Sequence, residues 1–349
     1  MTHIKEYTSA DRQDWDEYIS SHAMSGPYLT TAWKSAIEQG YGHRTFYLTA
    51  RDGGAITGVL PLALIRPPLG NANLVSLPFC DYGGILSDNE ETSNSLLEHA
   101  FALAGEHRAD LQIRTPVESI LMKQHRELVQ ITDKCRMLLR LPESSGMLWS
   151  GFKAKLRSQI RKPSKEGLES RLGHAEILTD FYEVFCRNMR DLGSPVHSRK
   201  WIDSVVSAFG HGCKVCVVYN KEGNPVGGGI ILTCGETAAI PWASTLRDFN
   251  RLSPNMLLYW TFLEYATDNG FRFFDFGRST PGEGTYSFKR QWGAEAMPLA
   301  WYKKDNNLKS TAIAAGKPDT RSMAEKIWRN MPLAAANFIG PRLRKYIDR

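Results

Sequence analysis

The stretch from residue 271 to residue 293, FRFFDFGRSTPGEGTYSFKRQWG, constrains this chain more than any other. Phe271, Phe273, Phe274 and Phe276 form an aromatic run flanked by Gly270 and Gly277, the pattern of a buried strand. The strand then breaks into a loop of turn formers, Gly277, Ser279, Pro281, Gly282 and Gly284. Beyond it, residues 285–292 predict a short helix or turn carrying Lys289 and Arg290. A strand end, a glycine-rich loop and then cations suit an anionic group held where a strand meets a cleft. The same residues also suit a buried strand with a polar return loop and no ligand, and composition leaves both open.

The segment before it predicts three strands in meander order, residues 214–219, 225–232 and 237–245, with turns near residues 220–224 and 234–236. A helix follows to about residue 268, with Ser253 as N-cap and Pro254 as its first residue. A strand, a loop and a helix N-terminus with free N–H groups can cradle a pyrophosphate, which makes Ser253 and Asn255 candidate binding residues. Residues 227–229 are three glycines inside a strand with no helix after them, a sign of close packing or a bulge. Earlier, residues 153–171 hold seven Lys/Arg against two Asp/Glu. Arg157 and Arg161 share a helical face with Lys162 beside them, while Leu156 and Ile160 mark a buried stripe. Like charges at this spacing disfavour a helix, so the cluster reads as a phosphate site or, alternatively, as a solvated face. Residues 180–192 predict a helix that Gly193 can end in the left-handed conformation, and Ser198 can cap the next one. Ser194 and His197 lie in that connection; a lone loop histidine is more often structural than catalytic.

The first part of the chain predicts helices over residues 11–20 and 32–39, then strands over 46–51 and 56–65 joined by an Asp52-Gly53-Gly54 turn. A short strand at residues 74–77 leads to Asp81 and Tyr82, which precede two glycines. Asp81 fits an Asx turn as well as it fits a group that orients or deprotonates an amine. A helix over 96–106 and strands over 110–114 and 135–141 complete this part, and residues 142–146 read as a boundary.

With 349 residues the chain can hold two cores, and six cysteines scattered singly suggest buried thiols in a reducing compartment. Cys213 and Cys216 form a C-x-x-C, but strand alternation points them to opposite faces, and no second pair follows at zinc spacing, so no metal site is expected. Residues 301–349 carry eleven Lys/Arg against four Asp/Glu, whereas the rest carries 32 against 33. A neutral body with a basic tail leaves anionic lipid, RNA or a plain solvated helix face as readings of the tail. Residues 306–320 look like a linker and residues 323–347 like a helical pair that docks on the body or lies at a membrane surface, a tail dispensable for chemistry but not for placement. Neither an apolar leader nor a membrane span is evident, so a cytoplasmic protein is expected.

The run FDFGRS followed by YSFKRQWG, the basic helix after residue 150 and the GSPVHSRKW segment at residues 193–201 resemble the Fem-type acyltransferases, over roughly residues 1–302. Within that family they are most similar to the Fem-related proteins of exosortase and exopolysaccharide systems. The resemblance implies an α/β (α+β) architecture of two tandem GNAT-like lobes with a cleft between them: residues 1–145 on the acceptor side, 146–302 on the donor and catalytic side, and 303–349 as a basic linker and helical tail. It implies acyl or aminoacyl transfer from acyl-CoA or aminoacyl-tRNA, a co-substrate rather than a resident cofactor. The acceptor would be an amine on a sugar-nucleotide or lipid-linked precursor of peptidoglycan or envelope polysaccharide. Catalytic candidates are then Lys289, Phe288 and Asp81; binding candidates are Arg157, Arg161, Lys162, Arg278, Ser253, Asn255, Tyr82, Ser194 and His197. The loop 247–255 lacks the glycine that GNAT enzymes use around the coenzyme A pyrophosphate, which favours a larger or differently held donor. A non-catalytic two-lobed module for a sugar-nucleotide or polyanion is the alternative, and turnover separates the two.

Overall fold

The computed structural model describes residues 3–22, 25–116, 119–304 and 318–348, so most of the expected linker lies outside the described residues. Two mixed sheets are present, each flanked by helices. The first contains β1 (His3–Glu6), β2 (Arg44–Asp52), β3 (Ala55–Ile65), β4 (Ala72–Val75), β5 (Leu86–Ser87), β6 (Ala109–Thr115) and β7 (Leu128–Gln130). The second contains β8 (Cys135–Arg140), β9 (Glu169–Gly173), β10 (Cys213–Tyr219), β11 (Pro225–Cys234), β12 (Thr237–Thr245), β13 (Phe273–Ser279) and β14 (Glu295–Pro298). The chain then returns: β15 (Ala300–Lys304) inserts between β6 and β7 of the first sheet. The β2–β3 hairpin turns through Gly53 and Gly54, both at positive φ, as the Asp-Gly-Gly turn predicts.

The second sheet opens where the site will lie. β12 and β13 run parallel but pair only at residues 237–239 with 273–275. Beyond Asp275, β13 bulges against β8 and both strands continue apart, leaving a wedge at their C-terminal ends. The first sheet has a comparable parallel pair, β4 and β6. There the space is filled by the segment after β4, whose Gly83 N–H donates to the Arg114 carbonyl at 3.1 Å. A Cβ on Gly84 would stand 2.7 Å from that carbonyl oxygen, which explains the paired glycines. The filling segment carries Asp81 across to the open wedge of the other lobe.

The lobes share a core. Trp33 of the helix Thr31–Tyr41 meets Trp201 of the helix Arg199–Phe209 edge to face at 5.3 Å, and Tyr41 stacks on Trp201 at 5.1 Å. Cys213 and Cys216 point into different clusters on opposite faces of β10, as strand alternation requires. The described cysteines are free thiols, and no described His, Cys, Asp or Glu cluster is arranged for a metal. No helix among the described residues is long and apolar enough to cross a membrane.

The tail is part of the body rather than an appendage. Its helices, Pro318–Arg329 and Leu333–Arg344, are separated by Pro332, while Pro341 sits inside the second without ending it. Ala336 is buried, and a Cβ on Gly340 would stand 3.1 Å from the Val196 backbone nitrogen. Asp348 then enters between the lobes, where its carboxylate meets the fully buried Arg114 at 2.9 Å. The expectation of a tail dispensable for chemistry does not fit this docking, because a segment that neutralises a buried guanidinium cannot be removed silently.

Candidate active site between the lobes

The site is built around the bulge at the end of β13. Gly277 takes φ +72°, and a side chain there would come within 3.2 Å of Asp81 Oδ2. The bulge turns the carbonyls of Gly277 and Arg278 to one side, where Lys289 Nζ donates to them at 3.2 and 2.7 Å. It turns the Arg278 N–H to the other side, where it donates to Asp81 Oδ2 at 2.9 Å. Arg278 Nε also lies 3.4 Å from Asp81 Oδ1. Behind the bulge, Asp275 accepts from Arg136 Nε at 2.8 Å, and Arg136 Nη2 donates to the Tyr82 hydroxyl at 3.0 Å. Burial disfavours the charge on Arg136, yet the adjacent Asp275 carboxylate outweighs it and holds the guanidinium pKa above its ordinary value.

Two cavities flank this strand end. One of about 320 Å³ lies on the Lys289 side and is lined by Asn188, Ser244, Asn255, Tyr259, Phe288 and Lys289, among others. The other, of about 150 Å³, lies between the lobes and is lined by Asp81, Cys80, His197, Trp242, Arg278 and Arg344, among others. Lys289 sits in the helix Gly284–Gln291 and is only 8% exposed. Burial lowers its pKa from the ordinary 10.5, against the opposing pull of Asp81 and Asp275. An ammonium has three donors, so two carbonyl bonds leave one N–H for the cavity. Phe288 packs edge to face on Tyr259 at 5.0 Å and fixes the helix beside that cavity.

The structure brings together some of the sequence candidates and separates others. Lys289, Phe288 and Asn255 share one cavity; Asp81, His197 and Arg278 share the other; Ser194 lines a third, of about 620 Å³, together with Arg278 and Arg344. Tyr82 lines neither central cavity: it is completely buried, with its hydroxyl committed to Arg136, a supporting position in place of the expected contact with substrate. Ser253 precedes the helix Pro254–Asp268 as predicted, but at φ +60° its side chain makes no capping bond. Arg157, Arg161 and Lys162, on the helix Ala154–Lys165, line neither central cavity. Arg157 donates to the Phe152 carbonyl at 2.5 Å, Arg161 lies over Trp149, and Lys162 donates to the Arg251 carbonyl. Arg344, Arg114 and the Asp275–Arg136 pair were not legible as site residues, because no local spacing links them to the bulge.

His197 is 2% exposed, and its Nδ1 lies 2.7 Å from the Tyr41 hydroxyl. That hydroxyl also accepts from the Ser198 N–H at 3.2 Å, so Tyr41 ties the ring to the start of the next helix. Burial, aided by the Arg344 charge, pushes the His197 pKa well below 6.5. Stability should therefore fall as pH drops through 6.5, since the unfolded ring takes up a proton that the folded ring refuses. Melting curves above and below that pH check this: His197→Asn should show a shallower decline than wild type, and an equal decline contradicts the assignment. Burial also pushes the Cys80 thiol well up, so it stays protonated and is a poor nucleophile.

Residues 150–290 match the acetyltransferase (GNAT) domain family. Among solved structures, a crystal structure of FemX is similar with a TM-score of 0.69 at 16% identity, covering 89% of this chain and 99% of that one. The structure of L-PGS from Bacillus licheniformis gives 0.58 at 12% identity, covering 99% and 98%. A tandem GNAT protein from the clavulanic acid biosynthesis pathway gives 0.55 at 12% identity, covering 87% and 98%. No curated protein matches the chain by sequence. The wedge between β12 and β13 and the cavity beside Lys289 thus lie within the stretch that matches the acetyltransferase (GNAT) domain, whereas the cavity between the lobes also draws residues from outside it, in a two-lobed fold similar to that of the tandem GNAT protein.

Proposed function

We propose that this protein is an N-acyltransferase that moves an acyl or aminoacyl group from acyl-CoA or aminoacyl-tRNA to an amine of a cell-envelope polysaccharide or peptidoglycan-type precursor. The observation that carries this reading is the bulge at residues 277 and 278, held on one side by Lys289, which lines one cavity, and on the other by Asp81, which lines the other. The donor carbonyl enters on the Lys289 side. The acceptor amine enters on the Asp81 side and attacks, forming the C–N bond while the C–S or C–O bond to the donor breaks. Asp81 takes the amine proton, and the leaving thiol or hydroxyl is protonated from solvent. The spare Lys289 N–H faces the oxygen as it gains charge, and the two carbonyls that anchor Lys289 keep the donor aimed. With Cys80 protonated, direct attack is favoured over an acyl-enzyme. Mass spectrometry of envelope polysaccharide from cells with and without the protein tests the reading: a missing acyl mass supports it, and identical spectra count against this acceptor class.

The choice between donors turns on the basic helix. Lys162 reaches the loop 247–252, which precedes the helix carrying Asn255, and Lys153, Lys155 and Arg290 line an adjoining groove of about 410 Å³. A tRNA donor extends past the 320 Å³ cavity onto such a surface; acyl-CoA demands less of it. Charge reversal at Arg157 and Arg161 should weaken aminoacyl-tRNA binding and flatten its salt dependence, while acyl-CoA binding changes little. An unchanged salt slope leaves those arginines their local structural contacts alone. The tail also exposes Met323, Ile327 and Phe338 near Lys326, Arg329 and Arg342, a composition suited to peripheral contact with anionic lipid at the cytoplasmic face.

A further inference from the structure

The cavity between the lobes holds a charge that the proposed chemistry does not use. Asp81, Arg278 and Arg344 line it, together with a neutral His197 and a protonated Cys80. One carboxylate therefore faces two guanidiniums. Arg114 is matched by Asp348 at 2.9 Å, and Arg278 by Asp81 at 3.4 Å. In the neighbouring 620 Å³ cavity, Glu325 lies 3.7 Å from Arg329. Arg344 is the odd cation. Its Nη1 donates to the Ile347 carbonyl at 2.7 Å, while its buried Nε has no hydrogen-bond partner. Asp348, already paired with Arg114, attracts it from farther off, and no carboxylate among the described residues stands within ion-pair distance of it. Burial holds its pKa down to about 10, so it is charged at neutral pH.

A partly buried cation without a counter-ion is costly, and one that borders a substrate cavity suits a ligand bringing the missing charge. The attacking form of an acceptor is its neutral amine. An acceptor with an amine alone leaves Arg344 unmatched, whereas one that also bears an oxyanion brings negative charge to the surplus positive one. We propose that the acceptor carries a carboxylate or phosphate close to its amine, and that Arg344 and Arg278 receive this oxyanion while Asp81 faces the amine. Guanidinium forks accept either group. A cavity of 150 Å³ admits an amino-acid-like or aminoalkyl-phosphate end, and the 620 Å³ cavity, which shares Met189, Arg278 and Arg344 with it, takes the remainder of the molecule. Arg344 closes the helix Leu333–Arg344, so the tail supplies one half of the anion site. This inference rests on the reading of the chain as an amine acyltransferase with its acceptor on the Asp81 side.

Three probes test it on the full-length protein by calorimetry without donor: β-alanine, O-phosphoethanolamine and ethanolamine. The two anionic amines should bind roughly 10–100-fold more tightly than ethanolamine, the range for a hydrogen bond to a charged group. Which of them binds better tells carboxylate from phosphate. Arg344→Gln should erase this preference without weakening ethanolamine, and Arg342→Gln, whose exposed guanidinium lies on the Phe338 ring, should leave it intact. Equal binding of all three probes to wild type overturns the proposal whether or not any variant folds, as does a preference retained in a well-folded Arg344→Gln. Anionic amines that bind by this rule yet are never acylated would refute the transferase reading alone. Acylation of ethanolamine as efficient as that of β-alanine would refute the oxyanion site alone.

Discussion

Lys289→Met should lower turnover by about 10²–10³-fold, the loss measured when one donor to a developing oxyanion is removed. The loss should fall on kcat rather than KM, because the interaction forms as charge builds on the carbonyl oxygen. The substitution also leaves the Gly277 and Arg278 carbonyls without their ammonium, so a modest stability cost of roughly 1–2 kcal/mol accompanies it. Lys289→Arg should rescue partly, since a planar fork cannot occupy the place of a compact ammonium. The pH profile distinguishes chemistry from packing. Burial lowers the lysine pKa, so the alkaline decline of kcat should begin below 10.5 in wild type and shift upward in Lys289→Arg. A Lys289→Met protein with wild-type kcat would leave the residue as a structural tie between helix and bulge.

Asp275→Ala should be the most destabilising single change near the site, by roughly 3–5 kcal/mol, because it strands Arg136 as an uncompensated buried charge. Arg136 also holds the Tyr82 hydroxyl, and Asp275 accepts the Gly277 N–H at 2.8 Å, so the bulge loses its support from below. The double change Asp275→Ala with Arg136→Met should recover part of the loss, since it removes the stranded charge. Denaturant unfolding of the two single variants and the double one checks this. A double variant less stable than either single one contradicts the account of a charge left unpaired.

What could be read from the residues was whatever local pattern specifies. The aromatic run placed β13, although the strand runs on through a bulge to Ser279 where the turn formers predict loop, and the hairpin at Gly53 and Gly54 followed from the turn chemistry alone. The capping Ser198 and the left-handed Gly193 appear where the sequence put them. What was not legible depends on distant pairings. Arg136 and Asp275 meet across 139 positions, and Arg114 and Asp348 across 234, so neither pair leaves a spacing signal. The return of β15 to the first sheet is hidden for the same reason. The burial of Lys289 leaves no local signal, because a lysine in a short polar helix reads as exposed until the bulge carbonyls that receive it are known. Conversely, the basic run at residues 153–165 drew attention through charge alone, and several of those charges serve nearby carbonyls and a ring.

The most direct test of acyl transfer at the bulge is product analysis with purified protein. Wild type, incubated with acetyl-CoA or a mixed aminoacyl-tRNA pool and an amine acceptor, should yield an amide detectable by mass spectrometry, without an acylated form of the enzyme. Lys289→Met should yield about 10²–10³-fold less under the same conditions. Donor bound by a folded wild-type protein that yields no amide with either donor, or an equal yield from Lys289→Met, would contradict the account.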